Sequence, residues 1–421
     1  MIMATGLPDM RSILRRLSGL PERFERVVRG QNYIPQLDGL RFFAIIPVLL
    51  WHASIRGYRS FAQMSGRPSS GEPHWLPHGE IGVDLFFVIS GFVIARPFLA
   101  KLERCRSLDI GHFYLRRLLR LQPPYLLVLL CCAIVASLGI AQEGRNLTRS
   151  MSSLEQTWIS FWASAFYVHV LVFGQPSALN PPIWSLETEV QFYLVSPLLI
   201  WLYMGLSPKT SRLIVGIWAM ALVTAAGAAL RSSTGIYAPW SFTLATHLAP
   251  FMLGCLLADV RPLRHHPRKP AKLMGDDGFL LGLSLLVASG YWEMADKFLP
   301  ILLRDTVRLA ACALIVEGAL NGTWVAQMAG SRWIALIGSA CYSIYLVHVP
   351  LMVTVWLVIG NVLHPPAYLI MPLAMTLLPF LGIAGGLVFF AAVERPFMDS
   401  HWPSRLIGAF TAPFQRSENS R

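Results

Sequence analysis

Two imidazoles, His52 and His348, and two carboxylates, Asp84 and Glu189, each stand inside an apolar stretch of the 421-residue sequence. Ionisable groups in such surroundings are costly unless they pair or face a wet cavity, so each is a candidate functional group. Neutral imidazole near pH 7 can take a proton as a general base, or can itself act as a nucleophile. A carboxylate that orients the ring would complete either arrangement. Read singly, each residue serves equally well as a polar contact joining two helices. Four on four separate segments favour a shared site. A second constellation lies between His112 and Pro124, where Arg116, Arg117 and Arg120 have no acid within four residues. Arg116 and Arg120 are helix neighbours, and like charges at that spacing repel unless a polyanion such as a phosphate sits between them. The same run also suits a topology signal or contact with lipid phosphates. Arg41 follows Asp38 by three residues at the mouth of the apolar run that leads to His52.

The elements that must position these groups are membrane helices. Apolar residues make up 54% of the chain, charged residues 14%, and mean hydropathy is +0.52. Soluble domains carry about 25% charged residues, so the composition is that of a polytopic membrane protein. No dinucleotide-binding, P-loop, His-Glu-x-x-His or nucleic-acid signature is present. The net charge of +12 is therefore read through the loops that carry it rather than through a nucleic-acid partner. Of the six cysteines, five lie in apolar runs and Cys105 lies in a basic loop, without disulfide or metal-type spacing; no metal site is expected.

Ten spans are predicted, at about 37–57, 80–98, 121–141, 183–205, 211–230, 241–260, 278–295, 304–320, 333–359 and 367–393. With both termini cytoplasmic, 25 of the 35 Lys and Arg fall inside and 8 outside, and Arg41 and Arg308 lie within spans. If the short run 158–173 also crossed, the cluster Arg261, Arg264, Arg268, Lys269 and Lys272 would move outside, so that run reads as re-entrant or interfacial on the outer face. Residues 1–33 form a basic cytoplasmic tail, in which 8–20 suit either a surface amphipathic helix or an unstructured segment. The tail 398–421 is short and also cytoplasmic, and the sequon Asn146-Leu147-Thr148 lies outside. These directions put His52, Asp84 and Glu189 in the outer half and the arginine run at the cytoplasmic face. Ser90-Gly91 offers a small surface for a neighbouring helix backbone. Glu189 and Tyr193 share a helix face, as do Tyr345 and His348.

Six blocks in order resemble the acyltransferase-3 family of membrane O-acyltransferases. They are Leu37-Asp38-Gly39-Leu40-Arg41 with His52, the run Gly82 to Phe92, and Arg116-Arg117-x-x-Arg120-x-x-Pro123. Trp184-Ser185-Leu186-x-x-Glu189-x-Gln191-Phe192-Tyr193, Tyr342-Ser343-x-Tyr345-Leu346-x-His348-x-Pro350 and Glu394-Arg395-Pro396 follow. The resemblance covers about 34–397. It implies an all-α membrane domain that moves an acyl group, usually acetyl from acetyl-CoA, to a hydroxyl of a carbohydrate, glycolipid or macrolide-type metabolite. In that family the His on the first helix is the prime catalytic residue, and the basic run is linked to the acyl donor. Expected catalytic residues are thus His52, Glu189, Asp84 and His348. Expected donor-binding residues are Arg116, Arg117, Arg120 and Arg41. Acyl-CoA is a co-substrate, and no bound cofactor is expected. The family's Glu-Glu-Gln is Glu189-Val190-Gln191 here, and its aromatic before the proline is Gln122. The esterase-like domain fused to some members is not seen, so the acceptor is left to the membrane domain or a partner. The bacterial cytoplasmic membrane is the expected location. A proton-coupled transporter or flippase is the alternative from another class, because intramembrane His, Asp and Glu also build proton relays.

Overall fold

The computed structural model describes residues 33–66, 73–104, 109–138, 154–206, 208–235, 237–261, 275–292 and 297–398. Residues 1–32, Cys105, the Asn146 sequon, most of the 261–272 loop and the C-terminal tail lie outside the described residues. In chain order the helices are α1 (Pro35–Met64), α2 (Glu80–Leu102), α3 (Ile110–Ser137), α4 (Leu154–Ala165) and α5 (His169–Phe173). Next come α6 (Trp184–Met204), α7 (Lys209–Thr234), α8 (Leu244–Val260), α9 (Asp276–Gly290) and α10 (Phe298–Asn321). The short α11 (Trp324–Ala329) and α12 (Arg332–Ser339) lead to α13 (Cys341–Val358), α14 (Ala367–Phe389) and α15 (Arg395–Phe397).

Among the described residues no strand occurs, and seven helical stretches are long and apolar enough to cross a membrane. These are α1, α2, α3, α7, α8 with its leading turn, and α13 and α14 with their π-helical extensions. In lipid every backbone group must be bonded within the segment, which is why an apolar chain of this composition is helical throughout. The three other expected spans are polar or short. α6 has 21 residues and opens on Glu187 and Glu189, whereas α10 has 24 and carries Arg304, Asp305, Arg308 and Glu317. α9 has 15 residues, roughly 22 Å, against a hydrocarbon core of about 30 Å. The protein is an all-α, polytopic membrane protein.

α1 lies at the centre, packed on α2, α12, α13 and α14. α2 in turn packs most extensively on α8. A methyl group on Gly91 would fall on the carbonyl oxygen of Phe251, and one on Gly254 would fall on that of Val88. Backbone contact of this kind is how membrane helices gain van der Waals energy where apolar burial supplies little, and it is the use expected of Ser90-Gly91. Phe251 then stacks between Phe87 and Phe192, at 4.5 and 4.2 Å between ring centres. The expected span 333–359 is not one rod. The chain breaks at Ala340, between α12 and α13, and Gly338 of α12 is pressed against the backbone carbonyl of Asp38 of α1.

The run 158–173 is two short helices, α4 and α5, of 12 and 5 residues, and neither has the length to cross. Tyr167, between them, has a φ of 59°, a left-handed conformation that costs a non-glycine residue roughly 1–2 kcal/mol. The bend is held from α3. Tyr167 donates to Gln122 Oε1 at 2.7 Å, Gln122 Nε2 donates to the Ala165 carbonyl at 3.0 Å, and Tyr125 stacks on the Tyr167 ring. Gln122, the departure from the family aromatic, therefore clamps this hairpin. His169 closes it, accepting at Nε2 from the Ser160 hydroxyl at 2.9 Å while Nδ1 donates to the Gln175 carbonyl at 3.0 Å. Burial pushes the His169 imidazole below its ordinary pKa, against the opposing hydrogen bond to Gln175.

Candidate functional site

His52, on α1, lines a cavity of about 220 Å³ together with Trp51, His78, Pro182, Trp184 and Tyr237. Its Nδ1 lies 2.8 Å from the Val48 carbonyl and 3.3 Å from His348 Nε2. His348, on α13, has its own Nδ1 2.7 Å from the Tyr345 carbonyl. Carbonyl oxygens only accept, so in the neutral pair each Nδ1 carries the proton. His348 Nε2 is then a second acceptor for the His52 proton, and His52 Nε2 is left with its lone pair. A histidine with Nδ1 tied to backbone and Nε2 unprotonated is oriented as a general base. Here backbone and a second imidazole orient the ring, where a carboxylate was expected.

The expected carboxylates lie elsewhere. Asp84, on α2, meets Arg308 of α10 at 3.1 Å, and its other oxygen lies 3.8 Å from His247 Nδ1. Glu80, one turn earlier, also meets Arg308, at 3.3 Å. Beside them Arg231 and Arg304 share Asp305. This buried network joins α2, α7, α8 and α10, and the structure does not bring Asp84 to His52. Arg308 was legible as a cation within a span, but its partners are 224 and 228 residues away in sequence.

Glu189 is also apart from His52. It faces a second cavity, of about 100 Å³, lined by Arg41, Arg117, Arg120, Tyr193 and Tyr342 among others. Ser90 of α2 donates to Glu189 Oε1 at 2.5 Å. Arg41 is held by Asp38, and Arg120 meets the fully buried Glu394 at 3.3 Å, where Ser343 also donates at 2.7 Å. Arg117 lies over the Tyr193 ring, 4.9 Å from its centre, and makes no ion pair among the described residues. Three guanidinium groups thus line the cavity against one carboxylate, an arrangement suited to a polyanion with paired phosphate oxygens. Arg116 is exposed and does not line this cavity, so of the expected arginine set the structure gathers Arg41, Arg117 and Arg120. Two features escaped sequence reasoning: the imidazole pair itself, and the Tyr345 hydroxyl bound to Ser185 at 2.6 Å and to the Pro182 carbonyl. Partners so distant in sequence left no local signal beyond the shared face of Tyr345 and His348.

The sequence model of the acyltransferase-3 family, described as an acyltransferase domain, matches residues 34–393. A peptidoglycan O-acetyltransferase, OatA, of Listeria monocytogenes is 26% identical over 338 residues, covering 77% of this chain and 50% of the relative. The O-acetyltransferase OatA of Staphylococcus aureus is 27% identical over 353 residues, covering 79% of this chain and 53% of the relative. The chain spans about half the length of these curated relatives. No solved structure matches. A family match over nearly the whole helical bundle, six motif blocks in order and an imidazole pair beside an arginine cavity lead to one conclusion: the chain belongs to the acyltransferase-3 family.

Proposed function

We propose that the protein is a membrane O-acyltransferase that moves an acyl group, acetyl in the first instance, from acyl-CoA to a carbohydrate hydroxyl. The observation that carries this reading is His52, with its basic Nε2 beside an aromatic-lined cavity and an arginine cavity adjacent. Arg41, Arg117 and Arg120 bind the phosphates of CoA, so that the pantetheine arm extends toward α1 and α13. The acceptor occupies the cavity of Trp51, Trp184 and Tyr237, whose rings suit sugar faces. His52 Nε2 takes the hydroxyl proton as the oxygen attacks the thioester carbonyl. The carbon–sulfur bond breaks, and CoA leaves as a thiolate that recovers the proton. The names of the relatives support an envelope glycan such as peptidoglycan as the acceptor.

Both termini are assigned to the cytoplasm from the charge distribution, with the arginine cavity opening there and the His52 cavity opening outward. The ion pair of Asp84 with Arg308, away from His52, favours a structural role for that carboxylate over a place in a transporter's proton path. The test is CoA thiol release and ester formation by purified protein with acetyl-CoA and glycan strands. His52→Ala should bind acetyl-CoA as the parent does but turn over about 10²–10⁴-fold more slowly, the scale of general acid–base catalysis. Parent-like turnover in that variant would overturn the assignment.

A further inference from the structure

The two cavities meet at a single side chain. Tyr345 lines both, and no other described residue that lines one lines the other. Its hydroxyl has one proton, which the Pro182 carbonyl must receive, so Ser185 is the donor to the same oxygen, at 2.6 Å. Ser185 lines the arginine cavity and Pro182 lines the His52 cavity, so this hydrogen-bond chain crosses the boundary between them. The Pro181–Ile183 turn is fastened to α13 a second time by Asn180 Nδ2, which donates to the Leu346 carbonyl at 3.0 Å. The Tyr345 ring itself meets Phe86 and His348 edgewise or tilted, at 6.5 and 5.6 Å between ring centres. Its backbone carbonyl holds His348, which in turn touches His52. Rotation of the side chain alone leaves the carbonyl that holds His348 in place, whereas movement of the backbone would disturb the imidazole pair.

We propose that Tyr345 is a movable partition between the arginine cavity and the His52 cavity, a positioning residue that admits the acyl group to His52 and otherwise keeps water there from the thioester. The proposal rests on the acyltransferase reading. With the ring in place, a thioester in the arginine cavity is separated from the base that would activate a nucleophile. The hydroxyl, rather than the ring, sets how often the partition opens, because phenylalanine would leave Ser185 and the Pro182 carbonyl without their partner. A loosened partition has a definite chemical signature. Water in the outer cavity gives its proton to His52 and attacks the thioester carbonyl, the carbon–sulfur bond breaks, and acetate forms. The CoA thiolate takes up the proton and appears as free thiol.

The experiment measures thiol release from acetyl-CoA by the purified full-length chain with no acceptor present. Parent release should be slow, and Tyr345→Phe should raise it roughly tenfold, the scale of one to two net hydrogen bonds. Ser185→Ala, which removes one of the two bonds and keeps the ring, should raise it less and in the same direction. The added release should vanish when His52→Ala is combined with Tyr345→Phe. Release unchanged in both single variants, or an increase that persists without His52, would overturn the partition. Saturable acetyl-CoA binding, measured on the same preparations, separates the two levels. If the parent binds acetyl-CoA while Tyr345→Phe does not leak, the partition fails and the acyltransferase reading stands. If the parent binds no acetyl-CoA, both fall.

Discussion

Replacing Arg120 with alanine should damage the protein more than replacing Arg117, although both line the arginine cavity. Arg120 neutralises Glu394, which is fully buried and sits where α14 passes into α15. Removing the cation leaves a buried carboxylate to which, among the described residues, Ser343 still donates at 2.7 Å. Breaking a buried ion pair in this way costs about 3–5 kcal/mol, and the retained Ser343 bond places Arg120→Ala near the lower end, at about 3. Arg117 leaves no stranded charge. Its loss forfeits a contact with the Tyr193 ring that is worth about 0.5–1 kcal/mol. Equilibrium unfolding in mixed detergent micelles should therefore rank parent and Arg117→Ala close together, with Arg120→Ala well below. Arg120→Ala combined with Glu394→Gln should recover about 2 kcal/mol, because the uncompensated charge is gone. Arg120→Ala within about 0.5 kcal/mol of Arg117→Ala would refute the pairing argument. The ranking also makes Arg117 the cleaner probe of the proposed donor site, since Arg117→Ala should weaken acetyl-CoA binding with little accompanying loss of stability.

His348→Ala removes the longer of two acceptors for the His52 proton, while the Val48 carbonyl stays at 2.8 Å. Turnover should fall about tenfold, the worth of roughly one hydrogen bond, far less than for His52→Ala, when thiol release is followed with acceptor present. The pKa of His169 is depressed by burial, so the unfolded chain binds more protons than the folded one below the ordinary histidine pKa of about 6.5. Stability should therefore fall as pH drops through that value, and His169→Gln should flatten the slope of melting temperature against pH between about 7.5 and 5.5. Gly91→Leu should abolish folded, monodisperse protein in detergent, because any side chain there meets the Phe251 backbone, whereas Ser90→Ala should leave the fold intact.

What could be read along the chain was whatever depends on local spacing. The apolar runs marked the helices, Ser90-Gly91 marked a backbone contact, and loop charge marked 158–173 as re-entrant or interfacial, although the bend held by Gln122 and Tyr167 was not foreseen. His52 and the arginines were legible because ionisable groups are conspicuous in so apolar a sequence. Which of them share a cavity was not. Asp84 and Glu189 occupy similar positions along their helices, yet one meets Arg308 and the other meets Ser90, a choice made by helix rotation and long-range partners. The close approach of Gly338 to α1 was hidden for a related reason, since a glycine is required there only because Asp38 lies against it.

On the proposed reading, donor and acceptor occupy separate cavities on opposite sides of Tyr345, with His52 acting on the acceptor side. The most direct measurement uses sealed proteoliposomes of known orientation, with acetyl-CoA enclosed on the face that carries Arg117 and Arg120 and membrane-impermeant glycan strands on the other. Ester should form on the glycan while CoA thiol accumulates on the acetyl-CoA side, and neither should occur with His52→Ala. Ester formation only when acetyl-CoA and glycan share one face would contradict the two-cavity arrangement.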